Sequence, residues 1–279
     1  MNNTSRYHVP TVLSIAGFDG SGGAGIQADT KTISALGCYA MNVLTALPVQ
    51  NTQGVKNIFD IPAQAIREQL DCIFEDTYPD SIKIGMVHST ALVEIIAEKL
   101  ESFTGPLVFD PVMVSTSGHK LINDDTISAI KSLLFPLASL ITPNMDEVAV
   151  LAGQPITTLE DMEKVSDQIL NLGCQAALLK GGHLKSETLT TLLIQKDQPV
   201  RYYESARVDT KNTHGSGCTL SSAIASYLAQ GFDLPSSTQQ GLAYVNQAII
   251  AGKDLTIGKG NGPLNHFFNP QKLITYEMD

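Results

Sequence analysis

Apolar residues follow two alternating rhythms along this chain. Short, nearly continuous apolar runs at residues 12–16, 81–84, 106–109, 139–141 and 176–179 predict buried strands. Between them the spacing changes to that of one helical face. Ile66, Leu70, Ile73 and Phe74 share a stripe after Pro62, Leu92, Val93, Ile96 and Leu100 another after the cap Ser89, and Ile127, Ile130 and Leu134 a third. Further helices are predicted at 26–36, closed by Gly37, at 144–152, at 159–172 and at 236–251. Residues 39–49 predict a second strand ending Gln50-Asn51-Thr52, 55–61 a short edge strand, and 189–195 with 200–203 an antiparallel pair. In the stretch 210–230 a polar, glycine-rich opening turns into a helix carrying Leu220, Ala223, Ile224, Tyr227 and Leu228 on one face, with Gly231 at its C-terminal cap.

Strand and helix alternating in this way predict an α/β fold: a doubly wound, mostly parallel sheet with helices on both faces, and 279 residues suffice for one large domain or two small ones. Ligands of such sheets lie beyond the carboxyl ends of the strands. Those ends read Gly17-Phe18-Asp19, Gln50-Asn51-Thr52, Gly85-Met86, Asp110-Pro111, Thr142-Pro143-Asn144 and Lys180-Gly181-Gly182, so glycine and polar residues gather at one edge.

Composition narrows the partners. The formal net charge of −10 over 279 residues argues against nucleic acid or an anionic membrane as the main partner, since both need clustered Lys and Arg. No apolar run reaches the length of a membrane span, and the short run to Phe18 reads as a first strand rather than a leader. Cys38, Cys72, Cys174 and Cys218 are far apart and form no C-x-x-C pair, which fits a reducing cytoplasm better than a disulfide framework or a structural zinc site.

Gly215 and Gly217 stand just before a helix start, where unpaired N–H groups and the helix dipole favour an anion. Cys218 sits at the same start, either as a thiol readily ionised there or as a small packing residue. Gly20, Gly22 and Gly25 spell G-x-G-x-x-G, yet the acid expected about 20 residues on is missing, so a bare glycine turn stands beside the dinucleotide reading. Asn144 and Glu147 form either a capping box or a magnesium site. Asp110 is a second acid near that metal or a turn-forming Asp-Pro; Lys180 is a phosphate partner or a solvated lysine.

In order along the chain, I-A-G-F-D-G-S-G-G-A-G-I-Q-A-D (15–29), T-A-L-P-V-Q-N-T (45–52), K-I-G-M (83–86), D-P-V-M (110–113), T-P-N-x-x-E (142–147), K-G-G-H (180–183), N-T-H-G-S-G-C-T (212–219) and G-P-x-N-H (262–266) resemble the ribokinase-like kinases. Within them the similarity is to the hydroxymethylpyrimidine/phosphomethylpyrimidine kinases of thiamine biosynthesis. The resemblance implies ATP and Mg2+, a pyrimidine substrate phosphorylated twice, and a homodimer. It places Gln50 on the pyrimidine ring, with Gly17, Ala24, Asp29, Pro48, Met86 and Val112 around it. Asn144, Glu147, Lys180 and Thr213 fall at ATP or its magnesium, and Glu147 with Asp110 near the metal. Backbone N–H groups at Gly215–Cys218 take the moving phosphoryl, and Cys218 accepts the hydroxyl proton. Pro48 and Phe18 depart from the family pattern. Alternatives are a pyridoxal or pyridoxine kinase of the same fold, a non-catalytic metabolite-binding protein and a nicotinamide-dependent oxidoreductase. The segment 115–120 and the Gly20–Gly25 turn are the lid candidates.

Overall fold

The computed structural model describes residues 6–113, 122–182 and 187–278. The chain runs β1 (Arg6–His8), β2 (Thr11–Ala16), α1 (Gly25–Ala35), β3 (Tyr39–Leu44), β4 (Ala46–Asn51), β5 (Gly54–Asp60), α2 (Ala63–Asp76), β6 (Ser81–Ile84), α3 (Thr90–Leu100), β7 (Leu107–Phe109) and α4 (Asp124–Ala129). It continues β8 (Leu140–Ile141), α5 (Met145–Ala152), α6 (Leu159–Lys164), α7 (Ser166–Leu170), β9 (Ala176–Lys180), β10 (Thr188–Gln195), β11 (Arg201–Ala206), α8 (Ser216–Ala229), α9 (Leu234–Gly252) and β12 (Tyr276–Met278).

Eight strands form the central sheet in the order β11-β10-β9-β8-β7-β6-β2-β3. It is parallel from β9 to β3, and the β10–β11 hairpin closes it antiparallel. The two-residue period of a strand sends alternate side chains to two different cores. Leu13, Ile15, Ile82, Ile84 and Phe109 pack with α2, α3, α5 and α7, through Ile66, Val93, Val148 and Ile169 among others. Val12, Val108, Leu140 and Leu178 pack on the other face with Ile33 of α1, Ile224 of α8 and Ala248 of α9. Ser89 caps α3 as the sequence predicts, accepting from the Leu92 N–H; the last helix starts two residues before the predicted 236, at Leu234, capped by Asp233, which accepts from the Ser236 N–H at 2.8 Å.

Three expectations give way. The strand predicted at 39–49 breaks at Thr45, whose N–H donates to the Ala16 carbonyl (3.0 Å) and whose hydroxyl donates to that of Met86 (2.8 Å). Beyond this corner β4 leaves the sheet and pairs only with β5, so 54–60 is half of a two-stranded flap rather than an edge strand. The helix predicted at 159–172 is two short helices parted at Val165 (φ −94, ψ 0), where the Ser166 hydroxyl bonds back to the Met162 carbonyl. Finally, β1 and β12 pair antiparallel, Arg6 opposite Met278. The lid candidate at 115–120 lies outside the described residues.

Candidate active site

Two glycine turns meet at the carboxyl edge of the sheet. Gly215, the N-cap of α8, has φ 82, and a Cβ there would overlap the Gly23 carbonyl oxygen. A Cβ on Gly25 would likewise overlap the Gly17 carbonyl oxygen. Of the G-x-G-x-x-G glycines, Gly25 serves the tight fold of its own turn against Gly17, and the contact with the Gly215 turn is made by Gly23, which favours the bare glycine turn over the dinucleotide reading. Asp19 locks the joint. Its buried carboxylate accepts from the N–H groups of Ser21 (2.9 Å), Gly23 (3.1 Å) and Ala24 (2.8 Å) and from His214 Nε2 (2.9 Å). Burial opposes its charge, yet the His214, Ser21 and Ala24 bonds hold it well below the usual carboxylate range. A turn braced this way is a poor lid. Gly215→Ala is expected to lower stability by at least about 2 kcal/mol, from the left-handed backbone and the overlap together. A melting temperature equal to wild type would refute it.

On the cradle's outer side Lys180, the last residue of β9, places Nζ 3.0 Å from Asp110 Oδ1, which also accepts from the Thr142 hydroxyl at 3.0 Å. A Cβ on Gly217 would lie 3.3 Å from Asp110 Oδ2 and 3.4 Å from Lys180 Nζ, so acid and lysine face the first turn of α8. Although burial opposes it, Asp110 and Glu147 hold the Lys180 ammonium above its ordinary range. Asn144 and Glu147 do form the capping box: Asn144 Oδ1 accepts from Glu147 N at 3.0 Å, and Glu147 Oε2 from Asn144 N at 2.8 Å. Glu147 is nonetheless only 2% exposed, and burial pushes its carboxyl up to about 7, with Lys180 opposing the rise and Asp110 adding to it.

That shift has a sign. A carboxyl raised from 4.5 to about 7 stabilises the fold fully below about pH 4.5 and loses that contribution as pH rises through 7. At ~1.4 kcal/mol per unit the ceiling is roughly 3 kcal/mol. Glu147→Gln is expected to flatten the fall in melting temperature between pH 5 and 8; an unchanged slope would count against it.

Cys218 is half-buried, two residues into α8. The helix start does not make it acidic. Burial pushes the thiol up to about 11, and the ammonium of Lys83 and the Gly25 N–H pull down without winning, while Asp29 and Asp110 add to the rise. The resting thiol is thus neutral at pH 7, which corrects the expectation of ready ionisation.

The residues expected at the ring gather where β2, β4 and β6 end. A Cβ on Gly17 would meet Met86 Sδ at 3.8 Å, and Gln50 Nε2 reaches toward the Phe18 carbonyl at 3.5 Å. Pro48 is buried on β4 opposite Ile58, Ala24 abuts Gly215, and the Val112 N–H donates to the Asp110 carbonyl at 2.8 Å. Thr213 opens the cradle, its carbonyl accepting from Ser216 N at 3.1 Å. Asp29 differs. It is fully buried, with its oxygens bonded to Ser14, Ser222 and Lys83, so it is closed off from a ring rather than presented to one.

Sequence reasoning gave no role to four residues bound into this site, His214, Thr219, His266 and Lys83. His214 clasps Asp19. Thr219 bonds the Gly215 carbonyl at 2.9 Å and lies 3.0 Å from His266 Nε2, whose ring burial and Lys31 push down to about 4 and hence keep neutral. Lys83 is fully buried. Its signal was present: a lysine alternating with isoleucines in a strand covered on both faces has no route to water.

An anion cradle facing a lysine and acids at this edge of a parallel sheet defines a small-molecule kinase of the ribokinase-like fold. A Bacillus subtilis pyridoxal kinase solved as an ADP complex agrees, with a TM-score of 0.86 and 32% identity over 93% of this chain and 98% of its own. Within that class the chain belongs to the phosphomethylpyrimidine kinase family, whose model matches residues 19–265. A hydroxymethylpyrimidine/phosphomethylpyrimidine kinase of Rhizobium meliloti is 44% identical over 91% of this chain and 96% of its own length. The crystal structure of a phosphomethylpyrimidine kinase from Clostridium difficile 630 matches with a TM-score of 0.76 and 41% identity, covering 86% of this chain and 99% of that one.

Proposed function

We propose that this chain, as a single kinase domain over residues 1–279, transfers the γ-phosphoryl group of ATP to the hydroxymethyl oxygen of 4-amino-5-hydroxymethyl-2-methylpyrimidine. A second transfer, onto the resulting monophosphate, gives the diphosphate used in thiamine biosynthesis. The observation that carries the reading is the first turn of α8, which starts at the left-handed Gly215, faces Asp110 and Lys180 at Gly217, and carries Cys218 next in the chain. Phosphoryl transfer asks mainly for positioning and charge stabilisation. The N–H groups of Gly215, Gly217 and Cys218 hold the moving phosphoryl oxygens, that of Ser216 being given to the Thr213 carbonyl, while Lys180 offsets phosphate charge and Cys218 as thiolate takes the hydroxyl proton. Gln50 orients the ring beside Gly17 and Met86, with Pro48 and Val112 as walls, while Asn144 and Thr213 border the nucleotide.

Asp110 and Glu147 suit Mg2+: both offer oxygen donors, and a buried carboxylate pushed up partly by its acidic neighbour gains from a divalent charge. When bound, that ion supplies charge neutralisation on the phosphates. Among the described residues no helix is long and apolar enough to cross a membrane, and we place the enzyme in the cytoplasm. A homodimer is the expected assembly. The exposed row of Leu47, Val49, Val55 and Phe59 on the β4–β5 flap suits such an interface, and light scattering at the monomer mass would refute it.

Incubation with Mg–ATP and either the hydroxymethylpyrimidine, its monophosphate or pyridoxal, followed by mass measurement of the products, tests the reading. The first two are expected to gain one phosphoryl group each. The match to pyridoxal kinase structures favours one second reading, a pyridoxal kinase, and phosphorylation of pyridoxal alone would establish it.

A further inference from the structure

A fully buried ion pair lies beneath the site. Lys83, the third residue of β6, turns away from Ile82 and Ile84 into the layer below α1 and α8. Lys83 and Asp29 are both 0% exposed, with Nζ 2.8 Å from Oδ2. The same carboxylate accepts from the Ser14 hydroxyl at 2.6 Å and, through Oδ1, from the Ser222 hydroxyl at 2.7 Å. Strand β2, helix α1, strand β6 and helix α8 thus each give one side chain to a single buried cluster. Stability does not explain it, because well-packed apolar residues in place of a buried ion pair are often neutral or stabilising.

Its position does. Nζ lies alongside Gly85, where a Cβ would come within 2.8 Å of it, so the ammonium points toward the strand end and the ligand edge. Ser222 follows Cys218 by one helical turn, which puts the thiol and the bound carboxylate on the same side of α8. The charges around the sulfur are Lys83 on β6, Asp29 on α1, Asp110 after β7 and Lys180 on β9, and the Gly25 N–H points at it from the start of α1. Of these, Lys83 draws most strongly toward the thiolate.

We propose that Lys83 is a positioning residue for phosphoryl transfer: its buried ammonium, held in place by Asp29, Ser14 and Ser222, is the counter-charge that decides how readily Cys218 gives up its proton. This rests on Cys218 as the proton acceptor. The thiol first loses its proton to solvent. The sulfur lone pair then takes the substrate hydroxyl proton as the new oxygen–phosphorus bond forms and the bond from the γ-phosphorus to the bridging oxygen breaks, ADP leaving with that oxygen. The re-formed thiol returns the proton to solvent. Lys83 touches neither substrate nor phosphate; it acts through the sulfur.

Iodoacetamide alkylation of the ligand-free protein between pH 7 and 10, read cysteine by cysteine by mass spectrometry, tests this without reference to catalysis. Exposed Cys72 serves as a control for reagent, and buried Cys38 and Cys174 as controls for unfolding. In the double variant Lys83→Met/Asp29→Asn, which leaves no unpaired buried charge, Cys218 is expected to react about tenfold more slowly, with Cys72 unchanged. In Asp29→Asn, where the ammonium remains without its carboxylate, Cys218 is expected to react faster while Cys38 and Cys174 stay protected. Lys83→Arg keeps the charge and is expected to stay within about threefold of wild type. Folded variants whose Cys218 reacts at the wild-type rate throughout would overturn the proposal. If the double variant slows alkylation but leaves kcat untouched, the hold of Lys83 on the thiol stands and the assignment of Cys218 as proton acceptor fails.

Discussion

Cys218→Ala is expected to fold as wild type and to lose turnover by about 100-fold or more, the contribution of a positioned general base. The side chain is small and half-buried at a helix start whose geometry is set by Gly215, so its removal leaves the cradle intact. KM for ATP is expected to change little, because the N–H groups and Lys180 remain. Cys218→Asp keeps an acceptor at the same place and is expected to recover part of the loss. The two acceptors differ in pH dependence. With the thiol pushed up to about 11, the thiolate fraction grows about tenfold per unit over the neutral range, so base-limited turnover rises with pH. A carboxylate is already ionised there, and the aspartate variant is expected to give a flatter profile. An alanine variant with near-normal kcat would remove Cys218 from the mechanism.

Lys180→Met is expected to lower kcat/KM for ATP by about 10²–10³, on the scale of losing one preorganised charge-stabilising donor. Nζ sits between Asp110 and the first turn of α8, where phosphate charge arrives, and no other lysine among the described residues borders Gly217. Removing it also leaves Asp110 and Glu147 facing each other without their cation. Glu147, whose raised carboxyl Lys180 now pulls down, then holds its proton more tightly. Because the side chain is 16% exposed and Asp110 keeps its Thr142 bond, the loss of stability should fall short of the ~3–5 kcal/mol typical of breaking a fully buried pair. Activity on ATP within threefold of wild type would refute the role; a melting curve separates it from misfolding.

Much of this architecture was legible because each apolar run carries a single rhythm. The strand Ser81–Ile84 and the helix behind Ser89 were readable from their own residues, since the cap and the period lie inside the segment. The break at Thr45 was not. It is set by carbonyls of Ala16 and Met86, the latter 41 positions away, so no local pattern announces it. The cradle was legible from Gly215 and Gly217, as glycines before a helix have few other uses. The behaviour of Cys218 was only half legible. A helix start argues for an acidic thiol, but burial over Lys83 and Asp29 depends on strands and helices drawn from 14 to 222 in the chain, and burial wins.

The joint between the Gly23 and Gly215 turns has a bearing on how the enzyme comes into being. Asp19 and His214, which close it, are 195 positions apart, so the chain must bring its two extremities together before a phosphate can be gripped. Loop-closure entropy makes contacts of that span late events in folding. A partly folded chain with its strands in place but this joint open has no nucleotide site. Competence to bind ATP is then a signal that assembly is complete, and a ligand that grips the joint stabilises the very contact that forms last.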